Sequence, residues 1–427
     1  MAKFGIALGS GPRGLGFESR HSDHRKQYCK RLFCGTFSLF IGISMALTFG
    51  VKYFISKFKF ILTRGKISDN LDCASIPYVI FSDHKRYWNI FKPICDEFEK
   101  REIDIVYFTA SEDDPALNCS YKHVKTEFLG TGNKPFGRLN MLNADILIAT
   151  TPNLDVYQWK RSKGVKCYVH IPHYVGDFSD YRMFGLDYYD AVLASGENQI
   201  KFIRKIEELR PSIKHKEVVL AGSICLDNLK KKVDSSNKIQ NTRPVVLLAP
   251  SWGKSGILSR YGEKFLDELI KTGYQIIVRP HPQSYSAEKK LMESLESKYT
   301  SVEWNKDNDN FDVLTKADVL ITDFSGIIFD YSLVFGKPVI YADTKFDTLP
   351  YDADWLDEKI WSLRAVEKIG VKLEEKDFGN LKQLIDGCMN NQTLENKRNE
   401  IINECWAEIG KGAENTVSWL IKKHSEI

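Results

Sequence analysis

The sequence predicts an α/β protein of two doubly wound, parallel-sheet domains facing a cleft, with a helical tail behind them and an apolar, basic segment in front. Three observations lead to that class. From about residue 76, short β-rich apolar runs alternate with helix-length stretches, the pattern of strand-helix-strand units. The alternation is interrupted once, by the polar stretch 230–243. In the second half, Arg279-Pro280-His281-Pro282 and Thr322-Asp323-Phe324-Ser325-Gly326 each follow an apolar run, at the strand ends where parallel sheets bind ligands. The chain has 427 residues, more than one ordinary core accommodates, so two domains of roughly 150–200 residues follow.

The chain begins with two segments outside that pattern. Residues 1–30 are expected to have no folded role, because Gly16-Phe17-Glu18-Ser19-Arg20 back-translates to a string resembling the T arm of a transfer-RNA gene, as a misplaced start site would give. Residues 31–66 form an apolar and basic segment. The stretch 33–51 carries no charge and is flanked by Arg25, Lys26, Lys30 and Arg31 on one side and Lys52, Lys57 and Lys59 on the other. Its length reaches the lower range of a membrane span, although Gly35, Ser38, Gly42, Ser44 and Gly50 dilute its hydrophobicity. Residues 51–62 then mix aromatic and basic side chains, as interfacial segments do. The expectation is attachment to a membrane surface, peripheral or by a single span.

The first α/β domain is expected over 72–229, with strands at 77–81, 103–108, 144–149, 165–169, 190–194 and 217–221. Residues 230–243 read as a linker. The second covers 244–378, with strands at 244–249, 275–278, 318–321 and 338–341. Both units are Rossmann-like. Residues 379–427 form helices whose apolar face includes Leu381, Leu384, Ile385, Ile401, Trp406, Val417 and Leu420. A net charge of +4 gives no basis for a nucleic-acid partner. Nine scattered cysteines with no paired spacing fit a reducing compartment.

Four loops gather on the expected cleft. In Arg279-Pro280-His281-Pro282 two prolines stiffen a loop that presents a guanidinium and an imidazole, groups suited to a diphosphate. Ser325 and Gly326 precede an expected helix over 327–335, whose first N–H groups and the Ser325 hydroxyl would hold an anion. Ser251, in Pro250-Ser251-Trp252-Gly253, occupies a third turn at the same sheet edge. In the first domain His170 and His173 share a short Pro-containing loop, where a neutral imidazole can take a proton from an attacking hydroxyl. Asp227 reads as a hinge residue or a helix start. Asp113-Asp114 and the acidic run 307–310 can ligate a divalent cation, but such runs are ordinarily solvated loops, and no metal is assigned.

The order of these motifs, from the His-Pro loop through Gly222-Ser223-Ile224-Cys225-Leu226-Asp227, Ala249-Pro250-Ser251-Trp252 and Arg279-Pro280-His281-Pro282 to Thr322-Asp323-Phe324-Ser325-Gly326-Ile327-Ile328-Phe329-Asp330-Tyr331, resembles the CDP-glycerol glycerophosphotransferase family of teichoic-acid synthesis. The likeness covers roughly residues 140–350 and implies a GT-B-like architecture. It also implies that His170 is the general base and His281 a diphosphate contact. The first loop departs from the family's His-Gly-Thr-Pro, and His173 is an alternative base.

The resemblance further implies a CDP-activated polyol donor, a lipid-linked or polymer acceptor, release of CMP, and work at the cytoplasmic face of the cell membrane. Arg279, His281, Ser251, Ser325 and Gly326 would hold the donor diphosphate and nucleotide. A GT-B glycosyltransferase or epimerase using a UDP-sugar, or a non-catalytic nucleotide- or polymer-binding protein, would share the fold.

Overall fold

The computed structural model describes residues 75–427 apart from 238, 308 and 344–358. The expectations for residues 1–30 and 31–66 lie outside the described residues. Thirteen strands are described, in two parallel sheets.

The first sheet contains β1 (Ile76–Ser82), β2 (Ile105–Thr109), β3 (Val124–Phe128), β4 (Asn143–Ala149), β5 (Gly164–His170), β6 (Ala191–Ala194) and β7 (Glu217–Leu220). Their order is β3-β2-β1-β4-β5-β6-β7. Central strands of such a sheet are covered on both faces and therefore read as unbroken apolar runs, as Val79-Ile80-Phe81 and Ile146-Leu147-Ile148 do. Alternate side chains feed two separate cores. Ile80, Ile146, Ile148 and Val169 join one, and Val79, Phe81, Leu147 and Tyr168 join the other.

The second sheet contains β8 (Val245–Leu248), β9 (Gln275–Val278), β10 (Glu303–Trp304), β11 (Val319–Thr322), β12 (Val339–Ala342) and β13 (Gly370–Leu373), in the order β10-β9-β8-β11-β12-β13. Both sheets therefore reverse their direction of winding beside their first strand, at the β1/β4 and β8/β11 borders, which is where doubly wound sheets open to ligands. The helix Ile224–Ser235 runs into the stretch read as linker, capped at its start by the Ser223 hydroxyl.

The helical tail returns to the first sheet. Helix Thr393–Cys405 packs on Trp361–Ile369 and on Glu197–Leu209, and helix Gly412–Glu426 packs on Trp88–Lys100 and β4. At the crossing, Gly196 lies so close to helix Thr393–Cys405 that a Cβ there would stand 2.3 Å from Cys405 Cα. Glycine is required by space, since nothing larger fits that approach.

Candidate active site

The second sheet's crevice is built on Asp323, the residue after β11. Its buried carboxylate accepts the backbone N–H of Ser251 at 2.9 Å, of Ile257 at 3.1 Å and of Phe324 at 2.8 Å. The Thr322 hydroxyl donates to the Ala249 carbonyl at 2.6 Å. A carboxylate that satisfies several N–H groups is a structural tie, and this one joins the loop after β8 to the loop after β11. Ser251 is thereby held at the switch point, with its Oγ buried and without a hydrogen-bond partner among the described residues. Gly253, at φ +88°, turns the same loop through a conformation that other residues rarely adopt, and its N–H donates to Glu288 at 3.0 Å.

Ser325 is buried on the neighbouring loop, and Gly326 precedes the helical turn. The α-helix expected over 327–335 is a single α-turn, Ile327–Phe329, continuing as a π-helical turn over Asp330–Val334. Its opening N–H groups are thus those of one turn, not of a long helix. π-turns of this kind are common at functional sites.

Arg279 and His281 follow β9 on the other side of β8. Arg279 is half-buried, and its guanidinium donates to Asn305 Oδ1, whose amide in turn donates to Asp307 at 2.7 Å. Burial lowers its pKa, against the pull of Asp307 and Asp309. His281 Nδ1 accepts the Gln283 N–H at 3.1 Å, which assigns the ring proton to Nε2. The ring stacks over Trp252 at 25° with centroids 6.5 Å apart. This arrangement gives the loop a fixed N–H donor, the form that suits a phosphate oxygen.

In the first sheet His170 ends β5 and is 0% exposed. The rings of Phe178, Tyr181 and Tyr189 surround it at 5.9, 5.6 and 5.0 Å. Its Nε2 lies 3.2 Å from the Tyr181 hydroxyl. Burial first, and His173 second, push its pKa well below the usual imidazole value, so the ring is neutral. His173 is half-buried, with its ring 5.1 Å from Tyr87 and stacked at 24° on Tyr181. Its loop is tightly held. Gln199 donates to the carbonyls of Tyr174 and Gly176 at 3.0 and 2.9 Å, and Asn198 to that of Val175 at 2.8 Å. Asp177 accepts the Trp361 N–H at 3.3 Å from the second domain's side.

The aromatic surround of the two histidines was not legible in the motifs. Tyr87, Tyr181 and Tyr189 carry no spacing signal, and only the fold brings them together. Asp113 pairs with Lys85 at the surface, and Asp114 caps the turn Pro115–Asn118 and accepts from Thr109 at 2.7 Å. Among the described residues no group of three or more His, Cys, Asp or Glu side chains is placed to hold a metal ion. Among them, too, no helix is long and apolar enough to cross a membrane.

Two Rossmann-like sheets, each open at its switch point, with a C-terminal return across both, define the GT-B class. Within that class, residues 201–355 match the model of the CDP-glycerol:poly(glycerophosphate) glycerophosphotransferase family, which bears out the resemblance drawn from the motifs. Ser251, Arg279, His281, Ser325 and Gly326 lie inside the matched span, whereas His170 and His173 precede it. The chain is 30% identical over 118 residues to a teichoic acid glycerol-phosphate primase of Bacillus subtilis (strain 168), a match covering 26% of this chain and 28% of that protein. The wall teichoic acid polymerase TagF has a similar structure, with a TM-score of 0.53 at 14% identity over 88% of this chain and 98% of the other. A putative UDP-N-acetylglucosamine 2-epimerase from Listeria monocytogenes also shares the fold, with a TM-score of 0.53 at 13% identity over 83% of this chain and 97% of the other.

Proposed function

We propose that this protein transfers a glycerol-phosphate or related polyol-phosphate unit from a CDP-activated donor to a hydroxyl of a cell-surface polymer or lipid-linked acceptor, releasing CMP. The observation that carries the reading is that the strand-end groups around β8, namely Ser251, Arg279, His281, Ser325 and Gly326, all fall within the family match. In the proposed reaction the acceptor oxygen attacks the donor's β-phosphorus. The new P–O bond forms as the bond to CMP breaks, and the hydroxyl proton passes to a histidine.

His173 is the better base. His170 is 0% exposed among aromatic rings, whereas the His173 side chain is only half-buried, on a loop stapled to both domains, although its two ring nitrogens are themselves covered. Arg279 and the His281 Nε2–H stabilise charge on the diphosphate, assisted by the Ser251 and Ser325 hydroxyls. The site is proposed to work at the cytoplasmic face of the membrane, held there by residues 31–66, with no nucleic-acid partner.

The test is to incubate the purified full chain with CDP-glycerol, CDP-ribitol and UDP-sugars in turn, and to follow nucleotide release. CMP release from a CDP-polyol is expected. Exclusive release of UDP would replace this reading with that of a UDP-sugar enzyme, and tight binding without turnover would make the protein a nucleotide-binding module.

A further inference from the structure

β1 ends at Ser82, and the next residue is an acid outside every motif. β1 pairs with β4 in the register Phe81↔Ala149, so continuing it two residues sets Asp83 beside Thr151. β4 pairs with β5 as Ala149↔His170. Because alternate side chains share a face, Asp83, Thr151 and His170 occupy one face of three adjacent strand ends. That border is the first sheet's switch point.

The carboxyl group is held there at a cost to the fold. Its Oδ1 is buried and has no hydrogen-bond partner among the described residues. The Thr151 hydroxyl and Arg86 favour its ionised form but do not offset burial. The Arg86 guanidinium lies over the Tyr87 ring at 4.9 Å. Tyr87, Tyr181 and Tyr189 face the same group, and burial together with Asp83 keeps all three hydroxyls neutral. Asp180, nearby, is buried with its Oδ2 unpaired among the described residues, and burial raises its pKa. His170 and His173 complete the surround. Buried carboxyl oxygens without partners are expensive, and at a sheet's switch point the natural compensation is a polar ligand.

We propose that Asp83 binds the reacting end of the acceptor, accepting a hydrogen bond from the polyol hydroxyl next to the attacking one, so that the attacking hydroxyl is left to give its own proton to His173. The inference rests on the polyol-phosphate reading and adds a carboxylate to its acceptor side. Burial raises the Asp83 carboxyl to about 6. Since only the ionised form is a full acceptor, acceptor use falls as pH drops through that value.

The test uses the full chain, CDP-glycerol and a synthetic lipid ending in glycerol phosphate. In Asp83→Asn the acceptor KM should rise about tenfold or more while the donor KM stays within about twofold, and the acidic limb of kcat/KM for the acceptor should flatten. The variant's thermal midpoint at pH 8 should equal or exceed that of the wild type, because a buried charge has gone. An unchanged acceptor KM and pH profile in a folded variant overturns the inference alone, whereas an inactive wild type takes the functional reading down with it. Should Asp83→Asn not fold, Asp83→Ser is read by the same criteria.

Discussion

The Asp227 carboxylate accepts the indole N–H of Trp406 at 2.8 Å, across the point where the chain leaves the first sheet and the point where it returns. The same carboxylate accepts the backbone N–H groups of Gly410 at 2.7 Å and Gly412 at 2.8 Å. The position read as a hinge or helix start lies in the first turn of helix Ile224–Ser235 and clamps the returning tail.

Replacing that clamp should loosen the return. Asp227→Ala leaves an indole and two backbone N–H groups without their acceptor, at about 1–3 kcal/mol for each buried group left unpaired. A fall of at least ~2 kcal/mol in unfolding free energy is expected, with faster amide exchange in helix Gly412–Glu426. Unchanged exchange in that helix would refute the clamp.

The crossing at Gly196 offers a second, purely steric test. A methyl group there meets backbone rather than a yielding side chain. Gly196→Ala should therefore separate helix Thr393–Cys405 from helix Glu197–Leu209 and cost about 1–3 kcal/mol, the range for overpacking. Denaturant unfolding measures it, and a variant as stable as the wild type would mean the two helices adjust freely.

The sequence exposes what repeats or what is chemically unusual, and hides what depends on pairing. β1, β4, β8 and β11 were legible because central parallel strands are apolar on both faces. β3 escaped because its residues alternate Val124-Lys125-Thr126-Glu127-Phe128 at a sheet edge, and β10 because it has only two residues, Glu303 and Trp304. The His and Arg loops were visible through their prolines. The Asp323 tie was not, since a carboxylate that satisfies N–H groups on a distant loop has no local signature. Nor was Asp83, whose partners lie on separate strands.

Asp330 supplies a pH test. Burial raises its carboxyl to about 7 in the π-helical turn, near Cys225. Because the folded pKa lies above the unfolded value, this group's contribution to stability is fully present below about 3.8 and is lost as pH rises through 7. Asp330→Asn should accordingly melt higher than the wild type at pH 8 and the same at pH 4. Equal midpoints at both pH values would place the carboxyl in water.

At His281 the proton assignment makes a prediction about rescue. His281→Ala removes the N–H donor and should lower kcat about 10²–10³-fold, as loss of one preorganised donor to a developing charge does. His281→Gln places an amide N–H near the same point and should recover part of that loss. Full activity of the alanine variant in the CMP-release assay would remove His281 from the site, and a glutamine variant no better than alanine would point to a charged imidazole instead.

The two first-domain histidines separate by stability as well as by rate. His173→Ala takes a half-buried ring from a loop whose carbonyls remain held by Asn198 and Gln199, so the fold should persist while kcat falls about 10²–10⁴-fold, the usual contribution of a general base. His170→Ala instead empties a site enclosed by Phe178, Tyr181 and Tyr189, and should cost about 2–4 kcal/mol in stability. Its activity loss should follow from a displaced Tyr181, and His170→Phe, which refills the enclosure without a titrating nitrogen, should restore much of both. If His170→Phe folds as well as the wild type yet has no turnover while His173→Ala turns over normally, the base is the buried ring, and the half-buried one only packs the loop.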